Sequence, residues 1–162
     1  MPDARAALER LLDAIEARDV QAVADTLADD VSLETEVLGA PITGKQELQR
    51  LLADTMDAYE SIRVERRKIV ASGRDAAALV RAHVRFRGDL EMLGETLPTA
   101  GKELNVLGAA FIEVDEAGKI TRMMRVRDTL GIVQQLGLSA ERMQGLARKL
   151  EEWMKQPPSR AA

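Results

Sequence analysis

Apolar side chains recur with a helical period in the first third of the chain. Four leucine and isoleucine residues at i, i+3, i+4 and i+7 predict a helix with one buried stripe, which Asp3 caps. These four residues are Leu8, Leu11, Leu12 and Ile15. Asp19 predicts the cap of a second, short helix, and the alternating segment 31–36 predicts a strand. A third helix is predicted over 45–60, with Tyr59 on its apolar side.

From residue 62 onward the hydrophobic period changes to two, which is typical of strands. Four segments of strand length follow, joined by turns rich in Gly and Asp or by a longer connection over 88–101. They are 62–70, 76–87, 102–114 and 119–127. Because successive strands joined by turns pair side by side, we expect an antiparallel meander. Helices that precede strands in this way indicate the α+β class.

Two further helices are predicted after the strands. Asp128 precedes the first, and Ser139 precedes the second, whose apolar stripe needs a surface to cover it. We expect one domain over 1–138 and an amphipathic helix over 139–155 that packs on this domain or on a second subunit. The tail 156–162, rich in Pro, Ser and Ala, is expected to be disordered.

Composition narrows the function classes. A chain of 162 residues with 46% hydrophobic content can bury a core without cross-links. It has 23 basic and 27 acidic residues in alternation, so nucleic acid is not an expected partner. It has no cysteine, which excludes thiolate chemistry and Cys-based metal sites, and we expect no cofactor or metal. The N-terminal segment lacks the apolar run of a signal peptide or membrane span, which predicts a cytoplasmic protein without membrane contact.

Five segments carry a family pattern in their order and spacing. They are EARDVQAVADTLADDV, PITGKQEL, LPTAGKELNVLG, FIEVDEAGKI and RDTLGIVQQLG. Together they resemble the SnoaL-like, polyketide cyclase-like branch of the nuclear-transport-factor-2-like superfamily, which also includes ketosteroid isomerases and limonene epoxide hydrolases. The resemblance covers roughly 5–138. It implies a curved sheet around a conical, mainly apolar cavity that the helices close, and a homodimer formed through the outer face of the sheet.

The same resemblance implies catalytic positions that this chain fills with other residue types. Thr35 stands where ketosteroid isomerases have their base, while Leu11 and Ala110 stand near their tyrosine and protonated aspartate. Arg125 stands at the catalytic aspartate of the polyketide cyclases and at one carboxylate position of the limonene epoxide hydrolases. The cyclase histidine also falls near Ala110. The chain therefore departs from the acid–base sets of all three enzyme types.

The resemblance further places one face of segment 76–87 in the cavity and the other face outside. The cavity face carries Ala78, Val80, Ala82, Val84 and Phe86. His83 then lies among outward arginines, which favours a surface or dimer contact over catalysis. Several methionines and leucines either line the cavity or pack in the core. They are Met92, Met123, Met124, Leu93 and Leu97.

Four charged residues are the candidates for chemistry. Arg125, if it faces an apolar cavity, can bind a carboxylate or a developing oxyanion. Its alternative roles are a structural pair with Glu34 or Glu36, or a turn to solvent at a bulge. Asp128 is either a general acid or the cap of the helix that follows it. Glu34 and Glu36 share a strand face in this interpretation, and each is a base only if it is buried.

The sequence leaves three functions open. The first is a SnoaL-like enzyme, of cyclase, isomerase or hydrolase type, that acts on a small hydrophobic metabolite bearing a carbonyl or an epoxide. The second is a non-catalytic module that binds a small apolar or carboxylated ligand. The third is a structural dimerisation domain whose cavity is filled by its own side chains.

Overall fold

A computed structural model describes residues 2–92 and 94–156. Within these residues the helices are α1 (Ala4–Glu16), α2 (Val20–Thr26), α3 (Lys45–Asp57), α4 (Thr129–Leu136) and α5 (Ala140–Lys155). The strands are β1 (Leu27–Thr35), β2 (Ile42–Thr43), β3 (Tyr59–Ser72), β4 (Asp75–Phe86), β5 (Leu90–Met92), β6 (Glu95–Leu97), β7 (Glu103–Val114) and β8 (Ile120–Arg127). Of the described helices, none is long and apolar enough to span a bilayer.

Six strands form one mixed sheet in the order β2-β1-β8-β7-β4-β3. The four long strands β3, β4, β7 and β8 are antiparallel neighbours, which confirms the predicted meander. β1 joins the sheet parallel to β8, so the sheet is not antiparallel throughout. Parallel neighbours need a long connection, and the segment between β1 and β8 is long enough to supply it.

Two predicted boundaries and one connection differ from the structure. β1 begins four residues earlier than predicted, at Leu27, because Leu27 already pairs with Ile120 of β8. α3 ends before Tyr59, which instead begins β3 opposite Phe86. The connection over 88–101 contains the small hairpin of β5 and β6. For β1 and α3, a pairing between distant segments, rather than the local period, sets the boundary.

Helix starts follow local chemistry. Asp3, Asp19, Asp128 and Ser139 each accept a hydrogen bond from a backbone N–H in the first turn of the helix that follows, as their positions predict. α4 ends at Gly137, whose φ of 66° is in the left-handed region that glycine adopts without strain.

Two apolar clusters hold the helices against the concave face of the sheet. The first lies under α1 and α2 and includes Leu8, Leu27 and Ile120, each nearly inaccessible to solvent. The second lies under α4 and includes Val84 and Phe86. Burial of each such side chain contributes about 1.5–3 kcal/mol to folding.

The C-terminal helix α5 spans both clusters. Leu150 and Met154 pack against the first cluster, whereas Leu146 and Met143 pack with the second. Its apolar stripe is thus covered by the chain's own core. Most of the predicted disordered tail, 157–162, lies outside the described residues.

Candidate functional site

The inner face of the sheet is the face that packs against the helices, and the strand period decides which side chains lie on it. On β7, Ile112 is buried on this face, so Ala110 and Gly108 lie on the same side. These two residues pair with Arg125 and Arg127 of β8. Both guanidinium groups therefore lie on the inner face, two residues apart on one strand.

Within the described residues, Arg125 has no ion-pair partner for its charge. In the sheet register it lies between Ala110 of β7 and Thr35 of β1, and neither residue offers a charge. Its Nε atom is buried without a hydrogen-bond acceptor, and Arg125 forms no salt bridge in the part of the chain that the structure describes. Burial, with the charge of Arg127, lowers the pKa of Arg125 to about 9. The side chain therefore stays charged at neutral pH.

Glu36 neutralises the second guanidinium rather than the first. Its Oε1 lies 3.6 Å from Nε of Arg127 and accepts a 2.8 Å hydrogen bond from Oγ1 of Thr129. Burial acts to raise the pKa of Glu36, but the Thr129 hydrogen bond, a hydrogen bond from its own backbone N–H, and the charges of Arg127 and Arg125 together lower it. Glu36 is thus an ionised carboxylate, and its partner is Arg127.

Tyr59 completes this group of side chains at the start of β3. Its ring packs edge-on against Phe86, with the ring centroids 5.3 Å apart. Burial raises the pKa of Tyr59, against the opposing charges of Arg127 and Arg125. A phenol that remains protonated is a hydrogen-bond donor at all physiological pH values.

Tyr59 and Arg127 are absent from the site predicted from sequence. Arg127 follows Arg125 by two residues, so strand alternation alone was a sufficient signal for it. Tyr59 carried no such signal, because the local period placed it on a helix.

The predicted lining residues divide into two groups. Leu11, Val84 and Phe86 are buried inside the apolar clusters, where they pack rather than line a space. The others are partly buried on the inner face around Arg125. They are Val80, Ala82, Ala110, Met123 and Thr35, and the Oγ1 atom of Thr35 is buried without a hydrogen-bond partner.

Several predicted candidates lie away from this group. Glu34 is paired on the outer face, its Oε1 3.3 Å from Nη2 of Arg122. The prediction that Glu34 and Glu36 share a face is wrong, because the chain leaves β1 after residue 35. The predicted pairing of Arg125 with a glutamate is wrong, because Glu34 pairs with Arg122 and Glu36 pairs with Arg127. The predicted turn of Arg125 to solvent is wrong because its Nε is buried. Met124 lies outside and is 42% exposed, so it does not line the inner face.

Asp128 has a local hydrogen-bond partner, whereas Nε2 of His83 is buried without one and lies near a glutamate. Asp128 accepts a 2.9 Å hydrogen bond from the Gly131 N–H and caps α4, as one of its two interpretations predicts. His83 lies on the outer side of β4, with Nε2 3.6 Å from Glu65, as expected for a surface contact. The side chain of Met92 and all of Leu93 lie outside the described residues, while Leu97 is buried in the second cluster.

A surface cleft of about 350 Å³ lies elsewhere, beside the end of α3. Its polar lining is acidic and consists of Asp54, Asp57, Asp89 and Glu91. Across residues 2–92 and 94–156, no three His, Asp or Glu side chains are grouped closely enough to hold a metal ion.

The group around Arg125 is suited to an oxygen that carries negative charge. Among the described residues, four buried side-chain polar atoms lack a hydrogen-bond partner, and three of them belong to Thr35, Arg125 and Arg127. Buried polar atoms without partners are rare and cost about 1–3 kcal/mol each. A bound oxygen atom that accepts from the two guanidinium groups would remove this cost.

The family comparison gives one match that covers most of the chain. Residues 8–123 match the model of the SnoaL-like domain. No curated protein matches the sequence.

Solved structures show the same fold at low sequence identity. A putative SnoaL-like polyketide cyclase from Shewanella denitrificans is 14% identical, with a TM-score of 0.71 over 85% of this chain and 98% of that one. An LEH-like epoxide hydrolase from M. tuberculosis is 21% identical, with a TM-score of 0.62 over 93% of each chain. A hypothetical protein with a ketosteroid isomerase-like fold from Catenulispora acidiphila is 17% identical, with a TM-score of 0.65 over 83% and 95%. These likenesses confirm the expected fold.

Proposed function

Because the chain belongs to the SnoaL-like domain family, we propose that it binds a small, largely apolar molecule on the inner face of its sheet. The ligand is held at Arg125 through an oxygen that carries or develops negative charge. The observation that carries this proposal is the buried Nε of Arg125, which has no partner within the described residues.

The alternative of a purely structural core does not account for this arginine. An ion removed from water costs several kcal/mol, and folded proteins compensate this cost with an opposite charge or hydrogen bonds. Here the nearest carboxylate, that of Glu36, is engaged with Arg127 and Thr129. A ligand oxygen supplies what Arg125 lacks, and the partly buried apolar residues Val80, Ala82 and Met123 would contact the rest of the molecule.

A second candidate function is catalysis of cyclase, isomerase or epoxide-opening type on a hydrophobic carbonyl or epoxide. Tyr59 and Arg125 favour it, because a protonated phenol beside a guanidinium can stabilise an enolate or alkoxide oxygen. Glu36 is the proton acceptor in this scheme. Its lowered pKa makes it a weak base, and a non-catalytic binding module needs no base at all.

Native mass spectrometry of the purified protein with a panel of apolar ketones, epoxides and carboxylic acids tests both candidates. We expect a one-to-one complex that the Arg125→Met variant forms at least about tenfold more weakly, the loss of one charge-assisted hydrogen bond. The matched control is Arg122→Met, which removes an arginine on the outer face of the same strand.

Product analysis of the same mixtures separates the two functions. A product that forms with the native chain and not with Glu36→Gln would favour catalysis, and binding without product would favour the module. Equal affinity of the native chain and Arg125→Met for every ligand that binds would refute the proposal.

We also propose that the outer face of the sheet forms a homodimer contact. Five large apolar side chains there are 39–50% exposed, which is unusual for neighbouring positions of a solvated sheet. They are Leu79, Leu107, Phe111, Met124 and Val126. Light scattering should give the mass of a dimer for the native chain and of a monomer for Phe111→Glu. A native monomer at micromolar concentration would contradict this proposal.

A further inference from the structure

The charges on the inner face select the charge of the ligand, given that the proposed binding function holds. The ionisable groups that act on Arg125 are Arg127, Glu36 and Tyr59. Arg127 and Glu36 form an ion pair at 3.6 Å, and the phenol of Tyr59 is neutral. The group as a whole therefore carries one uncompensated positive charge, that of Arg125.

The same geometry selects the shape of the charged group. A guanidinium presents a planar fork of donors that matches the two oxygens of a carboxylate. The Oγ1 of Thr35, on the neighbouring strand in register with Arg125, is a further buried atom without a partner and can donate to the same ligand. A second negative charge on the ligand would lie beside Glu36, which is already ionised.

The residues beside Arg125 are small and apolar. Ala110 and Gly108 of β7 pair with Ala78 and Val80 of β4, so this part of the inner face has short side chains. Among the described residues, the charged groups that act on Arg125 are Arg127 and Glu36. An apolar body attached to the carboxylate would lie against these residues.

We infer that the ligand is a monocarboxylate with an apolar body, bound by Arg125 and Thr35, and that the Glu36–Arg127 pair is the specificity determinant that excludes dianions. The inference rests on the proposed function and makes it more specific. It assigns a role to Glu36 that does not require proton transfer.

Three probes with bodies of similar size test this inference by calorimetry at about pH 8. Octanoate is a monoanion, 1-octanol is its neutral counterpart, and hexylmalonate carries two carboxylates at one end. For the native chain we expect octanoate to bind at least about tenfold more tightly than 1-octanol, because charge-assisted hydrogen bonds are roughly twice as strong as neutral ones. We expect at least the same margin over hexylmalonate, because its second carboxylate would lie beside Glu36. Equal affinity for octanoate and 1-octanol would overturn the inference while leaving the proposed function intact. Failure of all three probes to bind would count against both.

Two variants change the charge in opposite directions. Glu36→Gln leaves two positive charges on the inner face, so we expect the preference to shift toward hexylmalonate by about tenfold or more. In Arg127→Met, the negative charge of Glu36 balances the positive charge of Arg125. We therefore expect the ratio of the affinities for octanoate and 1-octanol to fall by a similar factor. Either variant that folds is informative by itself. An unchanged preference in a folded variant would overturn the role of the pair.

The matched control is Glu34→Gln, which removes a carboxylate two residues earlier, on the outer face. It changes the net charge of the protein by the same amount as Glu36→Gln. We expect its ligand preference to equal that of the native chain. A shift equal to that of Glu36→Gln would overturn the inference, because it would trace the effect to overall charge rather than to the inner face.

Discussion

Replacement of Arg125 with methionine should make the folded protein more stable while it removes the ligand anchor. Arg125 is charged, largely removed from water and without a partner of opposite charge among the described residues. Methionine is shorter, but it is flexible enough to fill irregular space and needs no hydrogen bonds. Substitution of buried charges by well-packed apolar side chains is often neutral or stabilising, by up to about 4 kcal/mol.

The size of the effect follows from the pKa. Burial, with the charge of Arg127, lowers the pKa of Arg125 from its ordinary value to about 9. At neutral pH this difference corresponds to about 5 kcal/mol of unfavourable free energy. Water that reaches the partly buried side chain reduces this value, so we expect a gain of about 2–4 kcal/mol. For a chain of this length such a gain raises Tm by roughly 5–15 °C.

The effect should depend on pH in one direction. A cation whose pKa is lowered on folding destabilises the native state at every pH below the folded pKa. As the pH rises through about 9, the native state releases this proton before the unfolded state does. The advantage of Arg125→Met is therefore full at neutral pH and shrinks by about 1.4 kcal/mol for each pH unit above 9.

Urea unfolding at neutral pH and near pH 10 measures both quantities. Arg122→Met is the control, because Arg122 is exposed on the outer face of the same strand and pairs with Glu34. Exposed pairs contribute about 0–1 kcal/mol, so the control should be nearly neutral or slightly destabilising at both pH values. If Arg125→Met is less stable than the native chain, or shows the same change as Arg122→Met, the reasoning is refuted.

Three further substitutions test other parts of the structure. Glu36→Gln should destabilise the protein by about 1–2 kcal/mol at neutral pH, since it leaves Arg127 unpaired; the loss should shrink as the pH falls through the lowered pKa of Glu36, as followed by urea unfolding at pH 7 and at successively lower pH values. Asp128→Ala should cost about 1 kcal/mol through loss of the α4 cap, whereas Asp128→Asn keeps an acceptor and should cost only a few tenths; equal losses in thermal unfolding would argue against the cap. Gly108→Ala should destabilise by more than 1 kcal/mol, because its Cβ would lie 2.9 Å from the carbonyl oxygen of Val126; a Tm equal to that of the native chain would contradict this packing.

Local chemistry was enough to predict much of the fold. Asp3, Asp19, Asp128 and Ser139 were correctly placed as caps, because a capping side chain and its N–H partners are close in sequence. The four long strands were found from their alternation. The parallel pairing of β1 with β8 was not, because it depends on the path of more than half the chain.

The candidate site, like the fold, was predicted only in part, because some of its contacts join segments that are distant in sequence. The resemblance implied an inward position for Arg125, and the register of β8 against β7 places this residue on the inner face. The partner of Glu36 could not be predicted, because it depends on where the chain turns after β1. Tyr59 was missed because its pairing with Phe86 ends α3 earlier than the apolar period indicates.

The most direct test of the account is the NMR signal of the Arg125 Nε–H group during titration with octanoate, assigned by its absence in Arg125→Met. The account predicts that this signal shifts in step with ligand binding, while the Nε–H signal of Arg122 does not move. Saturable octanoate binding that leaves the Arg125 signal unchanged would contradict the central claim that this guanidinium anchors the ligand.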